Sequence, residues 1–292
     1  MDFAELRVFA AVARLGSMNR AARELNTVQS NVTARIQSLE TELGVELFTR
    51  NRRGTSLTSA GQRMLPFVSR LEKLMGDAKT AAQDEGEPNG TLSLGSLETT
   101  MALRLGPAMT RLAREYPDVT LIVRTGTTQK VIEEILAGAV DGGFVAGPLT
   151  HPDLDQQVVF REEMALITPP FMRSTNDLAT TAQLRTVVFQ IGCSYRQRLE
   201  TYLTGLGIAM AKPLEFGSLD AIIGAVSGGV GVTLLPKALA REISLDGRVA
   251  IHELPKDQRV VDTLFVRRRD GYQSSAMRAF LAMLHAFRDL RD

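Results

Sequence analysis

Ala21-Ala22-Arg23-Glu24-Leu25-Asn26-Thr27-Val28-Gln29-Ser30-Asn31-Val32-Thr33-Ala34-Arg35-Ile36 is the stretch on which the reading of the N-terminal region turns. Ala21, Ala22 and Leu25 fall on one face of a short helix. Asn26-Thr27 supplies turn chemistry, and Thr27 is placed to cap a second helix. Val32, Ile36, Leu39 and Leu43 line one face of that helix, and Gly44 closes it. Upstream, Phe3, Leu6, Phe9, Ala10 and Ala13 recur at helical spacing, Gly16 stops the helix and Ser17 caps the next. Three short helices with small residues at their crossing form a helix-turn-helix pattern.

The plainer alternative is an ordinary helical bundle. The outward face of the third helix argues against it. Thr27, Gln29, Ser30, Asn31, Thr33 and Arg35 are short or medium polar groups near its N-terminal end. A face that only meets water more often carries Glu and Lys. These groups suit base edges and phosphates in a major groove of double-stranded DNA.

Downstream, Leu47, Phe48 and Leu57 are suited to anchor a hairpin whose tip carries Arg50, Arg52 and Arg53. No acid lies between Leu47 and Arg63. The alternative is a solvated charged loop, but unbalanced arginines beside a helix-turn-helix fit a wing on the DNA backbone or minor groove. From Ser59 to about Glu85 the pattern is one long helix. Met64, Leu71 and Ala78 are spaced by sevens, as are Phe67, Leu74 and Ala81, and Val68, Met75 and Ala82. This predicts dimerisation through Met64, Phe67, Val68, Leu71, Leu74 and Met75, with packing onto the chain's own second domain as the alternative. Gly86-Glu87-Pro88-Asn89-Gly90 then breaks the helix.

The remaining residues alternate strand-like and helical runs: 92–95 into a helix through Leu112, 119–123 into a helix over 128–136, then strands near 140–146, 186–190, 213–216 and 230–235. This is an α/β domain with room for two lobes.

Composition bounds the function. The 292 residues carry 34 Lys and Arg against 33 Asp and Glu, a net charge of +1, so any basic footprint is local. One cysteine, Cys193, excludes an intrachain disulfide and fits a reducing compartment. The start, Met1-Asp2-Phe3-Ala4-Glu5-Leu6-Arg7, lacks a signal-peptide layout, and no apolar run is long enough to span a bilayer. A cytoplasmic protein with no membrane association is expected. His151, His252 and His285 are scattered, which removes most metal-site and Ser-His-triad readings. With no nucleotide-binding glycine loop and no paired acids in a motif, neither an enzyme nor a cofactor is expected. A secreted solute-binding protein would carry an export signal and would not carry the wing arginines.

The ordered run Leu6 through Gly16, Ala21-Ala22-Arg23-Glu24-Leu25, Gln29, Ile36, Leu39-Glu40, Leu43-Gly44-Val45, Leu47-Phe48, Arg50 and Leu57-Thr58-Ser59-Ala60-Gly61 resembles the LysR-type transcriptional regulators. The resemblance extends over the whole chain. It implies an N-terminal all-α winged helix-turn-helix with a long linker helix, and a C-terminal α/β two-lobed domain similar to periplasmic binding proteins. The implied division is 1–58 for DNA binding, 59–90 for linker and dimerisation, and 91–292 for effector binding. Lobe one would comprise 91–161 and 262–292, and lobe two 162–261. A small-molecule effector in the cleft, a homodimer and a homotetramer are likewise implied. Segments such as Gly95-Ser96-Leu97-Glu98-Thr99-Thr100, Thr125-Gly126-Thr127-Thr128, Gly192-Cys193-Ser194-Tyr195-Arg196 and Glu215-Phe216-Gly217-Ser218 resemble the branch that includes regulators of glutamate synthesis. The chain departs from the family at Val28-Gln29-Ser30, where many members have Ser-Gln-Pro, and at Ala34, where many have arginine. Gln29 is retained and is the expected base contact.

Candidate effector ligands sit at strand-to-helix junctions, where α/β sheets bind ligands. They are Ser96, Thr99 and Thr100; Thr127 and Thr128; Cys193, Ser194 and Tyr195; and Ser218. Each hydroxyl has the alternative of capping its own helix. Helix N-termini favour an anion. Arg196 would add a fixed charge for a carboxylate or else point to solvent; Glu98 would suit an amine or else favour its helix start. Together they fit an amino-acid-like effector. Cys193 reads either as a small buried apolar group or, near a helix N-terminus and Arg196, as a reactive thiol.

Overall fold

The computed structural model describes residues 1–51, 54–180, 184–208 and 212–288. The chain forms two compact units, one over Met1–Ala82 and one over Gln83–Leu136 and on from Val140.

The first unit holds α1 (Phe3–Leu15), α2 (Met18–Glu24), α3 (Gln29–Leu43), the antiparallel pair β1 (Phe48–Asn51) and β2 (Gly54–Leu57), and α4 (Ser59–Gln83). Asp2 and Glu5 form a reciprocal capping box at the start of α1. Gly16 and Gly44 end α1 and α3 at φ of 61° and 68°, in the left-handed region that glycine tolerates best. Ser17 caps α2 as expected. Thr27 does not cap α3. The N-cap is Val28, with no side-chain hydrogen bond, and Thr27 Oγ1 instead accepts from Asn31 Nδ2 at 2.8 Å. The turn ends one residue later than the sequence suggests, because Asn26 takes the left-handed step at φ 51°. Phe9, Val12, Ala21, Val32, Ile36, Leu39 and Leu47 are buried together, with Phe9 tilted against Phe48 at 5.3 Å. Glu40 accepts the N–H groups of Leu47 and Phe48 at 2.7 and 3.2 Å, which fixes where the hairpin leaves the helices. Gly54, at φ 130°, has room for no side chain: a Cβ there would lie 2.8 Å from the carbonyl oxygen of Gly16.

The second unit begins with β3 (Gly90–Ser96), α5 (Glu98–Thr100), a π-helical turn (Met101–Leu105) and α6 (Gly106–Glu115). Then come β4 (Val119–Thr125), α7 (Thr128–Leu136), β5 (Gly142–Ala146), β6 (Leu154–Thr168) and α8 (Asn176–Thr180). The order closes with β7 (Val187–Phe189), α9 (Ser194–Gly205), β8 (Leu214–Phe216), α10 (Leu219–Ser227), β9 (Thr233–Pro236), α11 (Lys237–Ser244), β10 (Ala250–Glu253), β11 (Val260–Arg268) and α12 (Ser275–Arg288). The strand path is β10-β6-β11-β5-β3-β4, with β9 also on β6 and β7 parallel to β8. The strand β6 is absent from the sequence reading. Its first half pairs with β11, and its second half pairs with β9 and β10. The expected border at 161/162 therefore falls inside one continuous strand. Phe144, Phe265 and Phe280 centre the core on one side of the first part of the sheet, and Val131, Ile135 and Val266 form a cluster with α7.

Asp84 fastens the start of this unit. Its carboxylate accepts from Tyr272 Oη and the Ser275 N–H, both at 2.8 Å, and from the Gly86 N–H at 3.1 Å. These donors hold it far below the usual carboxylate range, and Tyr272 contributes most. A depressed folded-state pKa means the stabilisation is complete above the unfolded value of about 3.9 and fades as pH falls below it. Asp84→Asn should lower the melting temperature at pH 7 by a few degrees, and the gap from the parent should narrow below about pH 4. Melting curves at pH 7 and pH 3.5 test this, and an equal gap at both would contradict it.

Candidate functional site

At the N-terminal end of α3, Gln29, Ser30 and Asn31 are exposed, while Thr27, Thr33 and Arg35 are half-buried. With no side-chain cap and no acid in the first turn, the helix presents its free N–H groups and partial positive charge outward. The acid nearby in sequence, Glu24, is ion-paired with Arg14. Val28, which the sequence reading noted only as a departure, is 64% exposed at this end. Its signal was its position: an apolar residue where a helix start normally places a hydroxyl. The hairpin follows β1 and β2; Arg52 and Arg53 lie outside the described residues, and of Arg50 only the backbone is described.

The heptad pattern of α4 divides in two. Val68 is fully buried in the core of its own winged helix, and Met64 packs partly against the same core. Val68 is therefore corrected from a partner contact to an intrachain one. Phe67, Leu71, Leu74 and Met75 stay exposed, Phe67 by 71%, along the helix surface.

In the second unit a cavity of about 170 Å³ lies where β3, β4, β7 and β8 give way to their helices. Of the expected residues, Glu98, Thr99, Thr127, Cys193 and Tyr195 line it. The others do not. Ser96 is fully buried and donates to the Leu97 carbonyl at 2.9 Å, and Thr100 is buried beside it. Ser194 Oγ donates to Thr128 Oγ1 at 3.1 Å, and both face a neighbouring opening. Ser218 caps α10 by accepting the Ala221 N–H. Arg196 is the clearest correction: it pairs with Glu200 at 3.0 Å and Glu215 at 2.7 Å, and it lines that neighbouring opening instead of the cavity. The expected carboxylate partner of an amino-acid-like effector is thereby lost. Lining residues not expected from the sequence are Leu97, Thr125, Gly126, Phe189, Gln190, Phe216 and Gly217. Leu97, Thr125 and Phe216 lie in the same junction segments as the expected hydroxyls, and their signal is that position at the strand ends.

Contacts span the cavity. Glu98 Oε1 accepts the Leu219 N–H at 2.9 Å, across 121 residues of sequence. Thr99 Oγ1 lies 3.5 Å from the Tyr195 hydroxyl, which burial pushes up to about 12. The Gln129 N–H donates to the Gly192 carbonyl at 3.2 Å. Cys193 is 7% exposed within an apolar cluster, and burial pushes its thiol up. Among the described residues no helix is long and apolar enough to cross a membrane, and no group of three metal-ligating side chains gathers.

Residues 3–62 match the family model for bacterial regulatory helix-turn-helix proteins of the lysR family, and residues 85–288 match the LysR substrate binding domain. The HTH-type transcriptional regulator YofA of Bacillus velezensis is 40% identical over 286 residues, 98% of this chain and 98% of that protein. The HTH-type transcriptional regulator GltR of Bacillus subtilis is 39% identical over 284 residues, 96% of this chain and 95% of that protein. Two relatives this evenly matched support the family and do not by themselves pick out a branch within it. A full-length OxyR variant from Pseudomonas aeruginosa superimposes with a TM-score of 0.71 at 18% identity, covering 97% of this chain and 94% of that one, a likeness of fold.

A buried thiol with a raised pKa is a poor nucleophile at neutral pH. Cys193 in the folded chain should therefore react with a thiol reagent far more slowly than after unfolding in denaturant. Complete labelling within seconds under native conditions would restore the reactive-thiol reading.

Proposed function

The chain belongs to the LysR family of transcriptional regulators, DNA-binding proteins with an effector-binding domain, and we propose the following assignment of its surfaces. The N-terminal end of α3 enters the major groove. The observation that carries this is the exposed, acid-free row Gln29, Ser30 and Asn31 at an uncapped helix start. Gln29 pairs with an adenine edge, Val28 packs on a thymine methyl, and Thr27, Thr33 and Arg35 hold register on bases and phosphates. Arg50, Arg52 and Arg53 serve as wing contacts to the backbone or minor groove. The proposed division is 1–58, 59–90 and 91–292, with the effector in the cavity of the last part. The protein works in the cytoplasm as a regulator and not as an enzyme. Phe67, Leu71, Leu74 and Met75 bury their side chains against a second copy, and the dimer reads two half-sites one helical turn apart. Association to a tetramer completes the assembly.

Capture of genomic fragments by the purified protein at moderate salt, followed by sequencing, should enrich a short inverted repeat. Gln29→Ala should cost about 1–3 kcal/mol of discrimination at one base position, while weakening binding to unrelated DNA little. A uniform loss over all sequences would reassign Gln29 to phosphate.

The pair Leu71→Asp with Leu74→Asp should yield a folded monomer by sedimentation. It should weaken binding to a two-half-site fragment far more than to a single half-site. A dimer that persists in this variant would move the interface elsewhere.

A further inference from the structure

The cavity carries one formal charge, and it is negative. Among its lining residues Glu98 is the sole ionisable carboxylate, and no lysine or arginine joins it. Arg196, the counter-charge expected from sequence, is held by Glu200 and Glu215.

The other positive features are helix N-termini, and they are weaker. Helix α10 spans nine residues, and its first N–H, on Leu219, is already taken by Glu98 Oε1 at 2.9 Å, while Ser218 takes that of Ala221 at 3.3 Å. An internal carboxylate thus occupies the seat a ligand carboxylate would use. The starts of α7, beside Thr127, and of α9, at Cys193, contribute at most about half a unit charge each, and at α7 the Lys130 N–H is already taken by Thr127 Oγ1. A ligand anion would be desolvated beside that carboxylate with no lysine or arginine in the lining; Arg196 and Arg198 act on Cys193 and Tyr195 only from behind it, and Arg196 is already paired with two carboxylates.

The walls point the same way. Phe189, Tyr195 and Phe216 line the cavity, and aromatic faces attract ammonium groups. Thr125 adds a hydroxyl acceptor for an N–H donor. Among the described residues no bond other than that from Leu219 reaches Glu98, so Oε2 is open to a ligand. The volume of about 170 Å³ is room for about six waters, which fits a small molecule.

We infer that the effector is a small organic cation, a compact amine whose ammonium group pairs with Glu98 Oε2 and whose apolar body lies against Phe189 and Phe216. Glu98 is then the residue that determines effector charge. This inference rests on the reading of the cavity as the effector site.

The test uses the full chain and four probes of similar size: butylammonium, benzylammonium, pentanoate and benzoate. Calorimetric titration should show saturable binding of the two ammonium ions and weaker or no binding of the two carboxylates. Glu98→Gln retains an acceptor for the Leu219 N–H, so it should fold. It should lose about tenfold or more in ammonium affinity. A Cβ at Gly217, in the cavity wall, meets nothing within 4 Å, so Gly217→Leu should fill the site and block every probe. Carboxylate binding equal to or tighter than ammonium binding, unchanged ammonium affinity in Glu98→Gln, or no ammonium binding at all would each overturn the cation assignment. Carboxylate binding that Gly217→Leu removes would overturn the charge and keep the cavity. Binding that a folded Gly217→Leu leaves intact would overturn both. Should that variant fail to fold, Glu98→Gln still decides the charge.

Discussion

The backbone ladder along Leu154–Thr168 is the constraint on which the effector unit depends. Nine residue positions of β11 pair with the first part of this strand, and β9 and β10 pair with its second part. One strand therefore belongs to both halves of the unit. Its buried residues Phe160, Met164, Leu166 and Ile167 face clusters in each half. The register slips between Thr263 and Leu264, opposite Phe160 and Val158, a few residues before β6 passes from β11 to β9 and β10. A bulge bends and twists a strand locally. Helices on either side can thus keep their own cores while their N-terminal ends converge on one cavity.

The same logic, on a smaller scale, holds α3. Val32, Ile36 and Leu39 are buried on one side of α3, which turns Gln29, Ser30 and Asn31 outward by helical geometry alone. Glu40 then spends one carboxylate oxygen on two backbone N–H groups at the entry to the hairpin. The outward row and the start of the hairpin are thus set by groups outside the row itself.

The winged helix was legible because its signals are local. Gly16, Ser17 and Gly44 act on the turn they occupy, and the apolar positions of α1 and α3 repeat at short range. The junction residues were half legible for a related reason. The pattern places Thr127 and Cys193 near the same sheet edge, but whether a hydroxyl faces a cavity or its own helix depends on contacts far along the chain. Ser218 and Thr128 satisfied nearby partners, and Arg196 met Glu215, which no periodicity connects to it. Strand β6 was hidden for the opposite reason. Buried on both sides in its second half, it shows no clean alternation, and its start looks polar because Asp155, Gln156 and Gln157 are not buried. The Thr27 cap failed by one residue, since sequence gives the turn chemistry but not which residue takes the left-handed step.

Charge distribution gives the two units opposite demands from a chain that is nearly neutral. The first unit turns an uncapped, acid-free helix start outward, while the cavity of the second holds a carboxylate, one of whose oxygens accepts from the start of α10. Among the described residues, Glu98 with Leu219 and Thr99 with Tyr195 span that cavity, and Thr128 with Ser194 and Gln129 with Gly192 join the same strand ends beside it. Each net hydrogen bond contributes about 1 kcal/mol, and one to a charged group about 1.5–3 kcal/mol. A single charge-assisted bond from a ligand is therefore as large as any one of these contacts. Coupling energies of about 1–3 kcal/mol are typical between linked sites, and one such bond falls within that range. Because Glu98 joins β3's end to the start of α10, a ligand that engages it acts at the point where both halves of the unit already meet.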